Sequence, residues 1–237
     1  MKKIIFILAL FAAFSCDKIE NPLTQVEGGV DTAKCPEPTF TPNTNTKRNI
    51  LVEDFTGQKC TYCPEGAYYL DTIKQNIGSQ VIPVALHVGG FSVPDATGNY
   101  TTDFRTDGGT ASYNQLAPGA AQPVFMVNRI DTFISPSSFY ISRYDLSVSV
   151  RSLLNSVPKV NLQLITSFDP ADGTICIYSE SEVLQNLTDD HSLVVVVLED
   201  SIVGWQEKEP SSSADPIYGS ASPIPNFVQK HVARKFV

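Results

Sequence analysis

The sequence predicts an α/β domain carrying an insertion, followed by an antiparallel β-rich domain. Three observations point there. Residues 48–66 read as an apolar strand, a short break, a C-x-x-C pair and a helix start. A second apolar strand and a third one opened by a proline follow, before a helical stretch ending at Val157. After Pro158 the pattern changes to alternation, as in Val160, Leu162 and Leu164, which suits strands half buried in an antiparallel sheet. The chain has 237 residues and 42% apolar content, enough for one large or two modest cores.

Ile50, Leu51 and Val52 begin the first strand, which runs from Asn49 to Phe55 and is broken by Thr56 and Gly57. Cys60 and Cys63 follow, then Pro64. A helix start offers unpaired N–H groups and the positive end of a dipole, so a thiolate there is stabilised. Lys59 adds a positive charge, and together these should make Cys60 the attacking thiol. Cys63 then resolves a mixed disulfide. Pro64 fits a first helical turn, where no N–H is needed. This order of strand, C-x-x-C and helix reads as a thioredoxin-like redox pair. Two plainer readings stand beside it: half of a zinc site, or a structural staple. Zinc calls for about four ligands, and neither a second C-x-x-C nor a nearby His pair occurs. No metal or cofactor is expected.

Asp54 lies six residues before Cys60; in thioredoxins an acid at that spacing moves protons to and from the resolving thiol. The plainer reading is a solvated or capping carboxylate. The helix is predicted over 64–77, with Tyr69, Leu70, Ile73 and Ile77 on one face and Gly78 as its cap. The second strand covers 81–88. Pro83 places it early or at an edge, and His87 reads first as a packed residue rather than a base. Residues 89–119 form an insertion rich in Gly, Asp, Asn and Thr, able to shape a substrate groove or merely to decorate the surface. Gln122 and Pro123 open the third strand, at the place of the thioredoxin cis-proline, where the preceding backbone pairs with substrate. Asn128 and Arg129 end it. Residues 139–157 are predicted as the closing helix, with Ser137 or Ser138 near its cap.

In the C-terminal part, Asp169 to Gly173 is a turn between two strands, and Leu193 to Leu198 is a buried strand. Residues 210–225 read as a loop and 227–237 as a last strand. An antiparallel sandwich, Ig-like in kind, is the expected arrangement for 158–237. It wants more strands than the sequence supplies, so either the natural chain is expected to extend further or this sheet is incomplete.

The N-terminus reads as an address. Lys2 and Lys3 precede an apolar run, Ile4 to Phe14, too short to span a bilayer. Ala13-Phe14-Ser15-Cys16 is similar to a bacterial lipobox, so residues 1–15 are read as a lipoprotein signal and Cys16 as the lipidated N-terminus. A cleaved signal with a chance cysteine is the plainer alternative. Residues 16–47, rich in Pro, Thr and Asn, then serve as a flexible tether. Export implies a compartment where disulfides persist. Cys35 and Cys176 remain, either bridged or both free. The net charge of −8 argues against nucleic acid as a partner.

Together these residues resemble the thioredoxin-like outer-membrane lipoproteins of Bacteroidota, the family named after a 28-kDa outer-membrane protein. The matching pieces are the lipobox, Leu51 to Gly57, Cys60-x-x-Cys63-Pro64, Gln122-Pro123 with Asn128-Arg129, Val194 to Asp200 with Trp205-Gln206, and His231-Val232-x-Arg234. The resemblance implies a lipid-anchored envelope protein at the outer membrane, with a thioredoxin-like domain (48–157) and a β-rich C-terminal domain (158–237). It implies no defined reaction. The chain departs from thioredoxin itself at Lys59, where a Trp is common, and at Thr61-Tyr62, where Gly-Pro is common. Two functions therefore stand: an envelope thiol–disulfide oxidoreductase acting on protein thiols and disulfides, or a non-catalytic lipoprotein that binds an envelope partner and whose cysteines form a staple.

Overall fold

The computed structural model describes residues 31–130, 138–188, 190–210 and 213–237. The signal segment, Cys16 and Ser137 lie outside them. Residues 1–36 and 37–237 are two separate compact units. In the first, a turn at 32–34 leads to Cys35, which is disulfide-bonded.

The larger unit is built on a six-stranded mixed sheet. Its strands are β1 (Ile50–Thr56), β2 (Val81–His87), β3 (Val124–Val127), β4 (Ile141–Ser142), β7 (Val196–Glu199) and β10 (Val232–Phe236), in the order β4-β3-β1-β2-β10-β7. Two further hairpins stand apart from it: β5 (Val160–Asp169) with β6 (Thr174–Val183), and β8 (Ile202–Gln206) with β9 (Ile224–Gln229). The helices are α1 (Cys63–Ile77), α2 (Asp107–Leu116), α3 (Leu146–Leu153) and the short α4 (Asp215–Tyr218).

β1, α1 and β2 form a parallel crossover, with Asp54 opposite Ala85. β3 returns antiparallel on the other side of β1, with Asp54 opposite Phe125, and β4 pairs with β3. Alternation along β1 sends Ile50, Val52 and Asp54 to one face and Glu53 and Phe55 to the other. On the first face Ile50, Val52, Phe125 and Val127 pack with Leu70 and Ile73 of α1 and with Leu146 and Val150 of α3. On the second, Phe55, Leu86 and Met126 pack with Tyr113 and Leu116 of α2. Full burial of each such side chain contributes about 1.5–3 kcal/mol, so helices on both faces hold the central strands. Asp54 thus occupies a position that the pattern reserves for an apolar residue.

Pro83 sits inside the sheet, yet at a point where β2 is still an edge. Ala85 N–H donates to His231 O at 2.8 Å, and β10 reaches β2 only there. Two residues earlier the same side of the strand is open, so the missing proline N–H leaves no unpaired carbonyl. Gly78 caps α1 at φ 87°, as expected, and Asn128 and Arg129, at φ 53° and 50°, end β3.

Three expectations differ from what is seen. The insertion contains a ten-residue helix, α2, capped by Thr106, whose Oγ1 accepts from Gly109 N–H. The closing helix starts at Leu146 behind Asp145, not near Ser138, because Ile141 and Ser142 are taken up by pairing with β3. Residues 158–237 do not form one separate sheet. β7 and β10 join the main sheet, while β5–β6 and β8–β9 remain two-stranded. Val232 and Ala233 are the physical reason: both are buried, and Ala233 completes the second core face. The turn expected between β5 and β6 is present, with Gly173 at φ 75° and its N–H donating to Asp169 O.

Candidate functional site

Cys60 and Cys63 form a disulfide, with Cα atoms 5.4 Å apart, and each is only 2% exposed. Cys63 is the first residue of α1 and Cys60 lies in the turn before it, so the strand, loop, C-x-x-C and helix follow as expected. Lys59 is less of an aid to a Cys60 thiolate than its position suggests. Its Nζ lies 2.7 Å from Asp95 Oδ1, which offsets its charge.

The Gln122–Pro123 peptide bond is cis. Pro123 lies against the first turn of α1: a Cβ built on Gly66 would stand 3.0 Å from both Cβ and Cγ of Pro123. The proline from far along the chain is thus brought to the helix that begins at Cys63. The Gln122 side chain turns to the end of β2, where its Nε2 donates to Val88 O at 2.7 Å.

Asp54 is buried beneath the helix. A cavity of about 40 Å³ is walled by Asp54, Cys63, Asp71, Tyr218, Lys230 and His231, among others. A single water needs roughly 10–15 Å³, so the cavity is large enough to admit water. Burial first, and the nearby Asp71 carboxylate second, raise the Asp54 pKa to about 8. Asp54 Oδ1 has no hydrogen-bond partner among the described residues. A carboxyl protonated at neutral pH that shares a wettable cavity with Cys63 can give a proton to a departing thiolate or take one from a thiol.

His87 does not wall this cavity. It packs at a tilt against Phe104, with ring centroids 4.8 Å apart. Burial, with Arg234 adding to it, lowers its pKa to about 3, so it is a neutral packed ring at physiological pH.

One part of the site had no sequence signal beyond the Trp205-Gln206 pair already noted. Residues 206–209 run along the C-x-x-C loop as a strap. Gln206 Nε2 donates to Gly57 O at 3.1 Å and to Cys60 O at 3.0 Å. Glu207 N–H donates to Gln58 O at 2.8 Å, and Glu209 N–H to Thr61 O at 2.7 Å. Gln229 Nε2 holds Gln206 Oε1 in turn. On the other flank Arg143 lies 5.1 Å from the Tyr62 ring centroid and 2.9 Å from Glu65 Oε2. The loop is therefore held on both flanks by residues distant along the chain, Arg143 on one and 206–209 on the other.

Gly57 permits a close crossing beneath this loop. A Cβ there would lie 2.8 Å from the Phe91 carbonyl carbon and 2.8 Å from Ser92 Oγ. Gly57→Ala should therefore push the 90–92 turn away and break the bond from Ser92 Oγ to Thr56 O. The expected loss is about 1–3 kcal/mol, read as a lower urea midpoint; an unchanged midpoint would mean that the turn yields freely.

Among the described residues no cluster of three or more His, Cys, Asp or Glu side chains is placed to hold a metal ion. Among them, too, no helix is long and apolar enough to cross a membrane.

No family model matches the chain. No curated protein matches it either. Among solved structures, an X-ray structure of an Agrobacterium tumefaciens protein from a structural-genomics consortium is similar at 14% identity and a TM-score of 0.42, covering 82% of this chain and 73% of that one. A likeness of that size carries no functional argument.

Proposed function

We propose that the chain is a lipid-anchored cell-envelope protein whose thioredoxin-like domain uses Cys60 and Cys63 for thiol–disulfide exchange with other proteins. One observation carries the reading: a buried, proton-bearing Asp54 shares a cavity with Cys63. A disulfide that serves only as a staple has no use for a proton donor kept in the core at a cost in stability. The cis-proline packed on the C-x-x-C helix, and the β-α-β-β order with α3 behind it, support the thioredoxin-like assignment. The lipobox at Cys16 and the family resemblance support anchoring at the outer membrane.

In this reading a substrate thiolate attacks Cys60 Sγ and the Cys60–Cys63 bond breaks. Cys63 leaves with the electron pair and takes a proton from Asp54. A second substrate thiolate then attacks the substrate sulfur of the mixed disulfide and releases Cys60 as a thiolate. Two electrons pass from the substrate dithiol to the protein. The reverse sequence reduces a substrate disulfide, with Asp54 accepting the Cys63 proton. Gln122 and Pro123 would supply the backbone against which the substrate chain lies.

The strap favours a second reading. With both cysteines 2% exposed and the loop carbonyls bonded to residues 206–209, the disulfide could be a sealed staple in a protein that binds an envelope partner. The two readings part on one measurement, the reduction potential in glutathione buffers. An exchanging pair should equilibrate near about −200 mV, whereas a staple should stay oxidised below about −300 mV. Cys60→Ser and Cys63→Ser should each abolish insulin reduction by the wild-type protein. A wild type inert toward insulin, glutathione and unfolded substrates would remove the oxidoreductase reading.

A further inference from the structure

We propose that Asp71 and Lys230 form the outer end of a proton path that joins Cys63 and Asp54 to solvent. This rests on the oxidoreductase reading and assigns positioning residues to it. Cys63, Ala67, Leu70 and Asp71 all wall the cavity from α1. Their spacing of four, seven and eight residues places them on one helix face, and the rise per residue spreads that face over about 12 Å. At one end of that helix face lies the buried Cys63. At the other is the Asp71–Lys230 ion pair, Nζ to Oδ2 2.7 Å, with side chains 20% and 48% exposed. Asp54 stands on the opposite wall, from β1.

The charged and titratable groups facing Asp54 are few. Asp71 comes from α1, Tyr218 from α4, and Lys230 and His231 from the turn between β9 and β10. His231 Nδ1 is 3.2 Å from Asp200 Oδ1, which turns it toward another partner. The remaining polar walls, including Thr56, Gln206 and Gln229, are uncharged. Asp71 is thus the acid that can receive a proton from the cavity and pass it to water. Lys230 Nζ, 2.7 Å from Asp71 Oδ2, offsets the charge that Asp71 presents toward Asp54. When Cys63 leaves as a thiolate and takes the Asp54 proton, a proton enters from water by way of Asp71 and restores the neutral carboxyl. The reverse reaction sends one proton outward.

The test uses the full chain with carboxyl-labelled aspartate. The Asp54 titration is followed by NMR in wild type, Asp71→Asn and Lys230→Gln, and the rate of disulfide exchange with a peptide dithiol is measured across pH in the same proteins. Asp71→Asn should lower the Asp54 midpoint, because a like charge is gone, and slow exchange about tenfold at the wild-type optimum. Lys230→Gln should raise the midpoint, because the Asp71 charge is no longer offset. Midpoints unchanged in both variants overturn the path. So do shifted midpoints with superimposable rate–pH profiles. Shifted midpoints in a wild type that exchanges with no thiol overturn the oxidoreductase reading and the path with it, while showing the Asp54–Asp71 coupling to be real, so the two failures are told apart.

Discussion

Asp54→Asn should make the oxidised protein more stable at neutral pH, by on the order of 4 kcal/mol, and the gain should shrink to nothing near pH 4. Burial raises the Asp54 pKa from 3.8 to about 8. Below pH 3.8 the carboxyl is protonated in both the folded and the unfolded chain, and it contributes no pH dependence. Between the two values the unfolded chain releases the proton while the folded protein retains it. The folded state then binds more protons, so stability falls as pH rises through that window and levels off above about pH 8. Asparagine is neutral throughout and close in shape, so it removes the slope. Urea unfolding of wild type and variant at pH 4, 6 and 8, with the disulfide intact, measures the effect. Parallel stability curves for the two proteins would show that Asp54 ionises normally in the fold. The same substitution should slow thiol exchange, since Cys63 would lose its proton donor. Stability gained with activity lost is the pattern of a residue kept for chemistry.

Arg129→Met should destabilise the fold by about 2–3 kcal/mol, the second large effect. Glu53 lies on the α2 face of β1 with its side chain 3% exposed. Its two oxygens accept from Arg129 Nε at 2.7 Å and from Nη2 at 2.6 Å. Arg129 itself is 43% exposed, so its own desolvation is modest, and the expected loss comes mainly from leaving a buried carboxylate without a partner. Arg129→Lys should restore only part of the loss, because an ammonium cannot match both oxygens at once. The double variant Glu53→Gln with Arg129→Met should lose less than Arg129→Met alone, which chemical denaturation can measure as a coupling energy. Equal losses in the single and double variants would locate the effect in the left-handed backbone at residues 128 and 129 rather than in the pair.

The parts of this fold that the sequence makes legible are those written in neighbouring residues. The apolar run at Ile50, the Cys-Pro step into α1, the Gly78 cap and the Asp169–Gly173 turn each carry their own local signal. So does Pro123, once the order of strands around it is read. What escapes is set by partners distant along the chain. The alternation in β10 announces a strand but cannot say that Val232 will lie beside Ala85, so the β-rich end reads as a separate sandwich. Helix α2 escapes because Gly108 and Gly109 weaken its pattern and only Thr106 marks its start. In the site, Cys60, Cys63 and Asp54 are found by spacing. Asp71, Lys230 and Gln206 are not, since each looks like an ordinary polar surface residue until the β8–β9 hairpin is seen to close over α1. Lys59 misleads for the converse reason: its neutralising partner, Asp95, lies in the insertion.

The strap has a consequence in time as well as in space. Gln206 lies 146 residues beyond Cys60, so the C-x-x-C loop can form from its own neighbourhood before the strap docks on it. Until it docks, the carbonyls of Gly57, Gln58, Cys60 and Thr61 lack the bonds that the strap gives them in the folded protein. Docking of residues 206–209 then engages those carbonyls and leaves Cys60 and Cys63 each only 2% exposed.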